Sequence, residues 1–122
     1  RYNPWRTAKQ CCKMGTRTQV SKSGEYGALL VDKRVVFCVP AFALEEAHDP
    51  TGAGDSFAGG FMGYLASAGQ KSDAALRRAM VYGSVLGSFA VEKFGLDRVR
   101  TLKRNEIHAR ARHFAKLTQF KL

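Results

Sequence analysis

Gly59, Gly60 and Gly63 stand inside a run from Ala53 to Ala68 that otherwise reads as a helix, with Phe57, Phe61 and Leu65 at i, i+4 and i+8 and Gly69 as its stop. Glycine in a helix interior is less favourable than alanine by about 1 kcal/mol. Three of them in one helix predict that another backbone packs very close. The partner is in the same sequence: roughly Ser72 to Val91 reads as a second helix, whose Ala75, Ala79, Gly83 and Gly87 form a small-residue stripe able to accept that approach. A third helix is predicted from about Arg104 to Leu117, with Ile107, Ala111, Phe114 and Leu117 on one face. Its N-cap position holds Lys103 where Ser, Thr or Asp would satisfy orphan amides, so its start is expected to be weaker by about 1 kcal/mol.

The first part of the chain has a different character. Residues 4 to 14 read as a short helix, with Pro4 in the first turn and Gly15 as a C′ residue able to take positive φ. Thr18 to Lys22 look extended, with Ser21 interrupting a strand that otherwise reads as buried. Ser23-Gly24-Glu25-Tyr26-Gly27 is a turn cluster, and Ala28 to Val31 and Arg34 to Val39 are apolar, β-branched runs joined through Asp32-Lys33. This predicts a β meander ending at Pro40. From Ala41 to Pro50 no period holds, and the segment reads as an irregular connection carrying Glu45, Glu46, His48 and Asp49.

Composition sets the outer bounds. The chain has 122 residues, 45% of them hydrophobic, which is one domain at most and too apolar for the disordered class. No apolar run approaches the ~20 residues that cross a bilayer, and the N-terminus lacks the apolar stretch of a signal peptide. Cys11 and Cys12 are neighbours, Cys38 is alone, and no CxxC occurs, so reduced thiols in a cytoplasmic setting are expected. The absence of an initiator Met at position 1 is read as the mark of a fragment or truncated product.

The chemistry lies in Asp49-Pro50-Thr51-Gly52-Ala53-Gly54-Asp55-Ser56-Phe57-Ala58-Gly59-Gly60. Small residues at a helix start let backbone N–H groups converge on one spot, where orphan donors and the positive end of the helix dipole favour phosphate. Asp55 falls in the same first turn. A carboxylate there can take the proton of a hydroxyl that attacks a phosphoryl group held by the amides of Gly52 to Gly54, and phosphoryl transfer needs this combination of positioning, charge stabilisation and a base. The alternative from residues alone is a structural turn in which Asp55 merely complements the dipole. The segment is neither the Walker pattern nor the dinucleotide GxGxxG.

The run DPTGAGDSFAGGF resembles the GAGD motif of the ribokinase-like carbohydrate kinases, the phosphofructokinase B family, without a break over its thirteen residues. Upstream, Val20-Ser21-Lys22-Ser23-Gly24-Glu25-Tyr26-Gly27-Ala28-Leu29-Leu30 is similar to the family's V-x-K-x-G-E-x-G strand and turn beside the nucleotide phosphates. The resemblance implies an α/β fold, the C-terminal part of a three-layer α/β/α domain. The lid and the N-terminal half would be absent. Residues 1–50 would supply a helix and the β meander with its nucleotide-side turn, and residues 51–122 the GAGD turn and C-terminal helices. It further implies an ATP-dependent kinase acting on an alcohol of a sugar or nucleoside, with Asp55 as catalytic base and Gly52, Ala53 and Gly54 as anion hole. Lys22, Gly24, Glu25 and Gly27 would lie on the nucleotide side. Asp49 and Thr51 match positions that in some relatives help bind a monovalent cation such as K⁺, and ATP chemistry implies Mg²⁺. His48 departs from relatives, which mostly carry an apolar residue there, and reads as a solvated or hydrogen-bonded histidine. Pairing with a second copy is left open, and no membrane partner is implied.

Two other classes compete. The chain carries 20 Lys+Arg against 10 Asp+Glu, a charge of +10, and from Arg98 onward eight cations face one acid, Glu106. That is the case for a nucleic-acid-binding module. Against it, the basic residues surround an amphipathic helix and match no DNA or RNA motif, so a solvated basic face is expected. A non-catalytic remnant is the third class. His108 and His113 are five apart, which is not the i, i+4 spacing that puts two imidazoles on one metal, and Cys11 and Cys12 read as packing residues.

Overall fold

The computed structural model describes residues 3–33, 35–42, 50–92 and 97–122, and the chain forms two compact units, Arg1–Ala41 and Phe42–Leu122. The first unit opens with helix α1 (Pro4–Lys13). Asn3 caps it, its side-chain oxygen accepting the amides of Trp5 at 3.0 Å and Arg6 at 3.3 Å, while Pro4 occupies the first helical position, where no amide donor is needed. The helix ends at Gly15, whose φ of +108° suits only glycine. Strands β1 (Thr18–Lys22), β2 (Ala28–Asp32) and β3 (Val36–Val39) then form an antiparallel sheet in the order β1-β2-β3. The register pairs Val20 with Leu30 and Leu30 with Phe37.

Ala8 of α1 packs with Leu30, Val31, Val35 and Val39 in this unit's core. The expectation that β1 is a buried strand interrupted by Ser21 is corrected: among the described residues β1 pairs with β2 alone, at the edge of the three-stranded sheet, and is half-buried. An edge strand accommodates Ser21, whose hydroxyl accepts the Gln19 side-chain amide at 3.4 Å. Thr18 donates to the Asp32 carboxylate across the sheet at 2.6 Å.

The second unit is built on α2 (Ala53–Ala68), α3 (Asp73–Ala90) and α5 (Arg104–Thr118), with the short turn of helix α4 (Asp97–Arg100) before α5. Ser72 caps α3 by accepting the Ala75 amide at 3.1 Å. The expected close approach of α2 and α3 is present, but it rests on fewer glycines than the sequence suggested. A Cβ at Gly60 would lie 2.8 Å from the Tyr82 carbonyl oxygen, and one at Gly83 would lie 2.9 Å from that of Phe57. Gly59 and Gly63 have open space instead. At 100° per residue they share the outer stripe of α2 with Asp55, away from α3. Pairing Ala53 with Gly87, Phe57 with Gly83 and Gly60 with Tyr82 fixes the two helices as antiparallel. Tyr64 stacks on Tyr82 at 5.0 Å, and the Tyr82 hydroxyl hydrogen-bonds His108 Nδ1 of α5 at 2.8 Å.

The core of this unit comprises Phe57, Leu76, Met80, Val85, Phe89 and Phe114, with alanines between them. Phe42 stacks against Phe114. Leu117, expected on the packed face of α5, is 55% exposed, because it stands in the last turn at the margin of the apolar stripe. The weak start expected for α5 is also corrected. Lys103 provides no cap, but the Glu106 carboxylate reaches back to accept the Lys103 amide at 2.8 Å, the reciprocal half of a capping box. The other Glu106 oxygen accepts from Arg98 at 2.8 Å. Arg98 and Arg110 both hold Glu92, and both guanidinium groups lie over the Phe89 ring, at 4.9 Å and 3.6 Å. Two of the basic residues that read as a solvated face are therefore structural.

Two expectations follow. Gly60→Val should destabilise the chain by about 1–3 kcal/mol by driving α2 off α3, whereas Gly63→Ala should stabilise it by roughly 0.5–1 kcal/mol; urea unfolding of both variants checks the contrast. The Arg98 hydrogen bond, then the Lys103 amide, holds the Glu106 carboxyl below its ordinary value of 4.5. A depressed carboxylate contributes stability that is present above the unfolded value and is lost as pH falls through the folded one. The melting temperature should therefore decline as pH drops below about 4.5, and Glu106→Gln should flatten that part of the profile.

Candidate active site

The glycine-rich turn is a connection of the second unit whose last residues enter α2. Gly52 is the N-cap, in the left-handed region at φ +82°, ψ −7°. The Ala53 amide donates to the Pro50 carbonyl at 3.1 Å, closing a turn, and the Ser56 amide donates to the Gly52 carbonyl at 2.9 Å as the first bond of the helical ladder. The amides of Gly52 to Asp55 all precede that ladder. Of the three expected anion-hole amides, that of Ala53 is directed into the turn itself. The sequence could not show this, since it depends on where Pro50 places its carbonyl.

Asp55 is the third residue of α2, within the first turn as expected, and is exposed. Among the described residues its carboxylate has no hydrogen-bond or ion-pair partner. Thr51 is exposed in the turn just ahead of the helix. Asp49 and His48 lie outside the described residues. The turn is seated from below by α3: a Cβ at Gly87 would touch the Ala53 carbonyl oxygen at 3.4 Å. The small-residue stripe therefore does more than let two helices approach, because it places the C-terminal end of α3 under the residue that opens α2.

The second cluster lies in the first unit. Lys22 ends β1, and Gly24 to Tyr26 form a single 3₁₀ turn that returns the chain to β2. The Ser23 amide donates to the Gly27 carbonyl at 2.8 Å and the Tyr26 amide to the Ser23 carbonyl at 3.0 Å. Gly24 and Gly27 both have positive φ, +56° and +92°. A Cβ at Gly27 would fall 2.2 Å from the Val39 carbonyl oxygen, so the glycine is required by β3 as well as by its own backbone. Lys22, Gly24 and Glu25 are exposed. The structure thus brings Lys22, Gly24, Glu25 and Gly27 together in one turn, and Thr51, Gly52, Ala53, Gly54 and Asp55 together in another.

Among the described residues no three of His, Cys, Asp and Glu are placed to hold an ion. The thiols of Cys11, Cys12 and Cys38 are free.

The glycine-rich turn thus opens a helix with a carboxylate at its third position. The chain belongs to the pfkB family of carbohydrate kinases, whose family model matches residues 6–101. It is 38% identical over 85 residues to inositol 3-kinase of Arabidopsis thaliana, covering 70% of this chain and 21% of that protein. Aminoimidazole riboside kinase from Salmonella enterica, solved with aminoimidazole riboside and an ATP analogue, superposes with a TM-score of 0.74 at 28% identity, over 94% of this chain and 36% of that one. A ribokinase from Thermotoga maritima gives 0.68 at 28% identity, over 91% and 34%. The ribokinase-like α/β fold implied by the motif is therefore present. The chain spans about a fifth of the length of the plant relative and about a third of these solved kinases.

The two positive-φ glycines should respond differently. Gly52→Ala places a Cβ in open space and incurs only the left-handed backbone term, about 1–2 kcal/mol. Gly27→Ala adds a collision with the Val39 carbonyl and should cost clearly more, with loss of the β signal in circular dichroism. Equal costs in denaturant titrations would contradict the packing described for Gly27.

Proposed function

We propose that this chain is the part of an ATP-dependent kinase that carries the catalytic base and an anion-binding turn, and that the acceptor is an alcohol of a polyhydroxylated small molecule such as a sugar, nucleoside or cyclitol. The observation that carries the proposal is the Gly52 to Asp55 turn: a left-handed glycine cap, amides ahead of the helical ladder, and an exposed, unpartnered carboxylate in the same first turn. In this reading the segment is the C-terminal portion of the catalytic domain, as the order of the meander, the turn and the helices suggests.

The chemistry follows from those groups. Asp55 accepts the acceptor's hydroxyl proton as its oxygen bonds to the γ-phosphorus of ATP; the bond from that phosphorus to the β,γ-bridging oxygen breaks, and ADP leaves. The amides of Gly52 and Gly54, with the positive end of α2, oppose the negative charge on the transferring phosphoryl group. The nucleotide-side role of Lys22, Gly24, Glu25 and Gly27, which share one turn of the first unit, rests on the motif. ATP chemistry implies Mg²⁺, which would neutralise charge on the nucleotide phosphates. The proposed monovalent-cation role of Asp49 and Thr51 rests on the motif, with Thr51 exposed beside the turn.

Removal of the base tests this reading. Given a panel of sugars, nucleosides and cyclitols, Asp55→Asn should lower phosphotransfer by roughly 10²- to 10⁴-fold while leaving nucleotide affinity within about twofold, since the substitution keeps the size of the side chain and the turn. Turnover retained in that variant would remove Asp55 from the mechanism.

A further inference from the structure

The C-terminal end of the second unit carries a surface that the kinase reading does not use. Leu117, Phe120 and Leu122 are exposed there, Phe120 by 78%. Helix α5 stops at Thr118 and Gln119 leaves it in extended backbone, φ −80° and ψ 140°.

The outer face of α5 is basic. Arg104, Arg112 and Lys116 are exposed along it toward the apolar tail, whereas His108, at the same four-residue spacing, is turned to the Tyr82 hydroxyl of α3. Among the described residues Arg104, Arg112, Lys116 and Lys121 make no ion pair. The single acid after Arg98, Glu106, is already occupied by Arg98 and the Lys103 amide. Among the described residues nothing on this face neutralises it.

We infer that this surface docks on an anionic lipid bilayer, with Arg104, Arg112, Lys116 and Lys121 against the headgroups and Leu117, Phe120 and Leu122 entering the acyl boundary. Charge complementarity asks for a polyanion, and the exposed apolar side chains decide which kind. A nucleic acid rewards aromatic planes that stack on bases, and of these three side chains only Phe120 has one. The cations lie along a convex helix, which suits a broad flat partner. Association is at the surface, because no helix among the described residues is long and apolar enough to cross a membrane. Basic residues near an anionic leaflet and buried apolar side chains are the two contributions that hold such interfacial segments.

The test is co-sedimentation of the whole chain with vesicles at ~150 mM salt. Vesicles with roughly a third phosphatidylserine in phosphatidylcholine should be bound and pure phosphatidylcholine should not. Each cation contributes roughly fivefold to partitioning, so Arg112→Gln with Lys116→Gln should weaken binding by roughly 25-fold. Phe120→Ser with Leu122→Ser should weaken it at least about tenfold, with an unchanged circular dichroism spectrum because both side chains are exposed. Lys13→Gln with Lys33→Gln, the same loss of charge in the other unit, should change it by less than about twofold. Equal losses in the two charge pairs would overturn the proposal in favour of bulk charge. So would vesicle binding indifferent to Phe120 and Leu122, a folded chain that binds neither vesicle, or duplex DNA bound more tightly than the acidic vesicles at the same salt.

Discussion

The contact between the backbones of α2 and α3 is the constraint on which the second unit depends. Gly60 admits the Tyr82 carbonyl and Gly83 admits that of Phe57, so neither position tolerates even a methyl group without displacement. One turn further along, Gly87 lies under the Ala53 carbonyl. The same seam that buries Phe57 and Met80 therefore fixes the height at which α2 begins, and the glycine cap and Asp55 go with it. Helix packing normally keeps axes ~8–10 Å apart according to the side chains between them; substituting hydrogen for side chains at the seam is how this chain sets the Gly52 to Asp55 turn against a rigid support.

A second device holds the far side of α3. Glu92, just past its C-terminal end, is gripped by Arg98 and Arg110, and Phe89 lies beneath both guanidinium groups. Arg98 also binds Glu106, which caps α5. The ions are only partly exposed, so each pairing matters more than a solvated surface bridge would, and a guanidinium over an aromatic face adds roughly 0.5–2 kcal/mol. Three elements, α3, α4 and α5, are tied at one end of the unit by five side chains.

Much of this was legible in the residues. Phe57, Phe61 and Leu65 gave the period of α2, Gly69 its end, and Ser72 the start of α3, because each signal is local. Asp55 and the glycine cap were equally readable, since helix starts and left-handed turns are dictated by residues within a few positions. What escaped was long-range. Gly59 and Gly63 looked equivalent to Gly60 until the direction of α3 was known. Arg98 and Arg110 looked solvated because Glu92 and Phe89 reach them only through tertiary packing. The missing cap at Lys103 looked like a defect because Glu106 reads as an ordinary first-turn acid. The Ala53 amide seemed available to a ligand until the Pro50 carbonyl was seen to accept it.

The account stands on the claim that the Gly52 to Asp55 turn is a working anion site. Calorimetric titration of this chain with Mg·ATP at ~150 mM salt, beside the Gly54→Val variant, tests it most directly, because a branched side chain at that position would obstruct the approach of a phosphate to the amides. Saturable binding by the chain, lost in the variant, is the result predicted. Binding of equal strength in both would place the nucleotide elsewhere, and no binding by a chain shown to be folded would mean that the turn, as it stands in these residues, does not hold a phosphate.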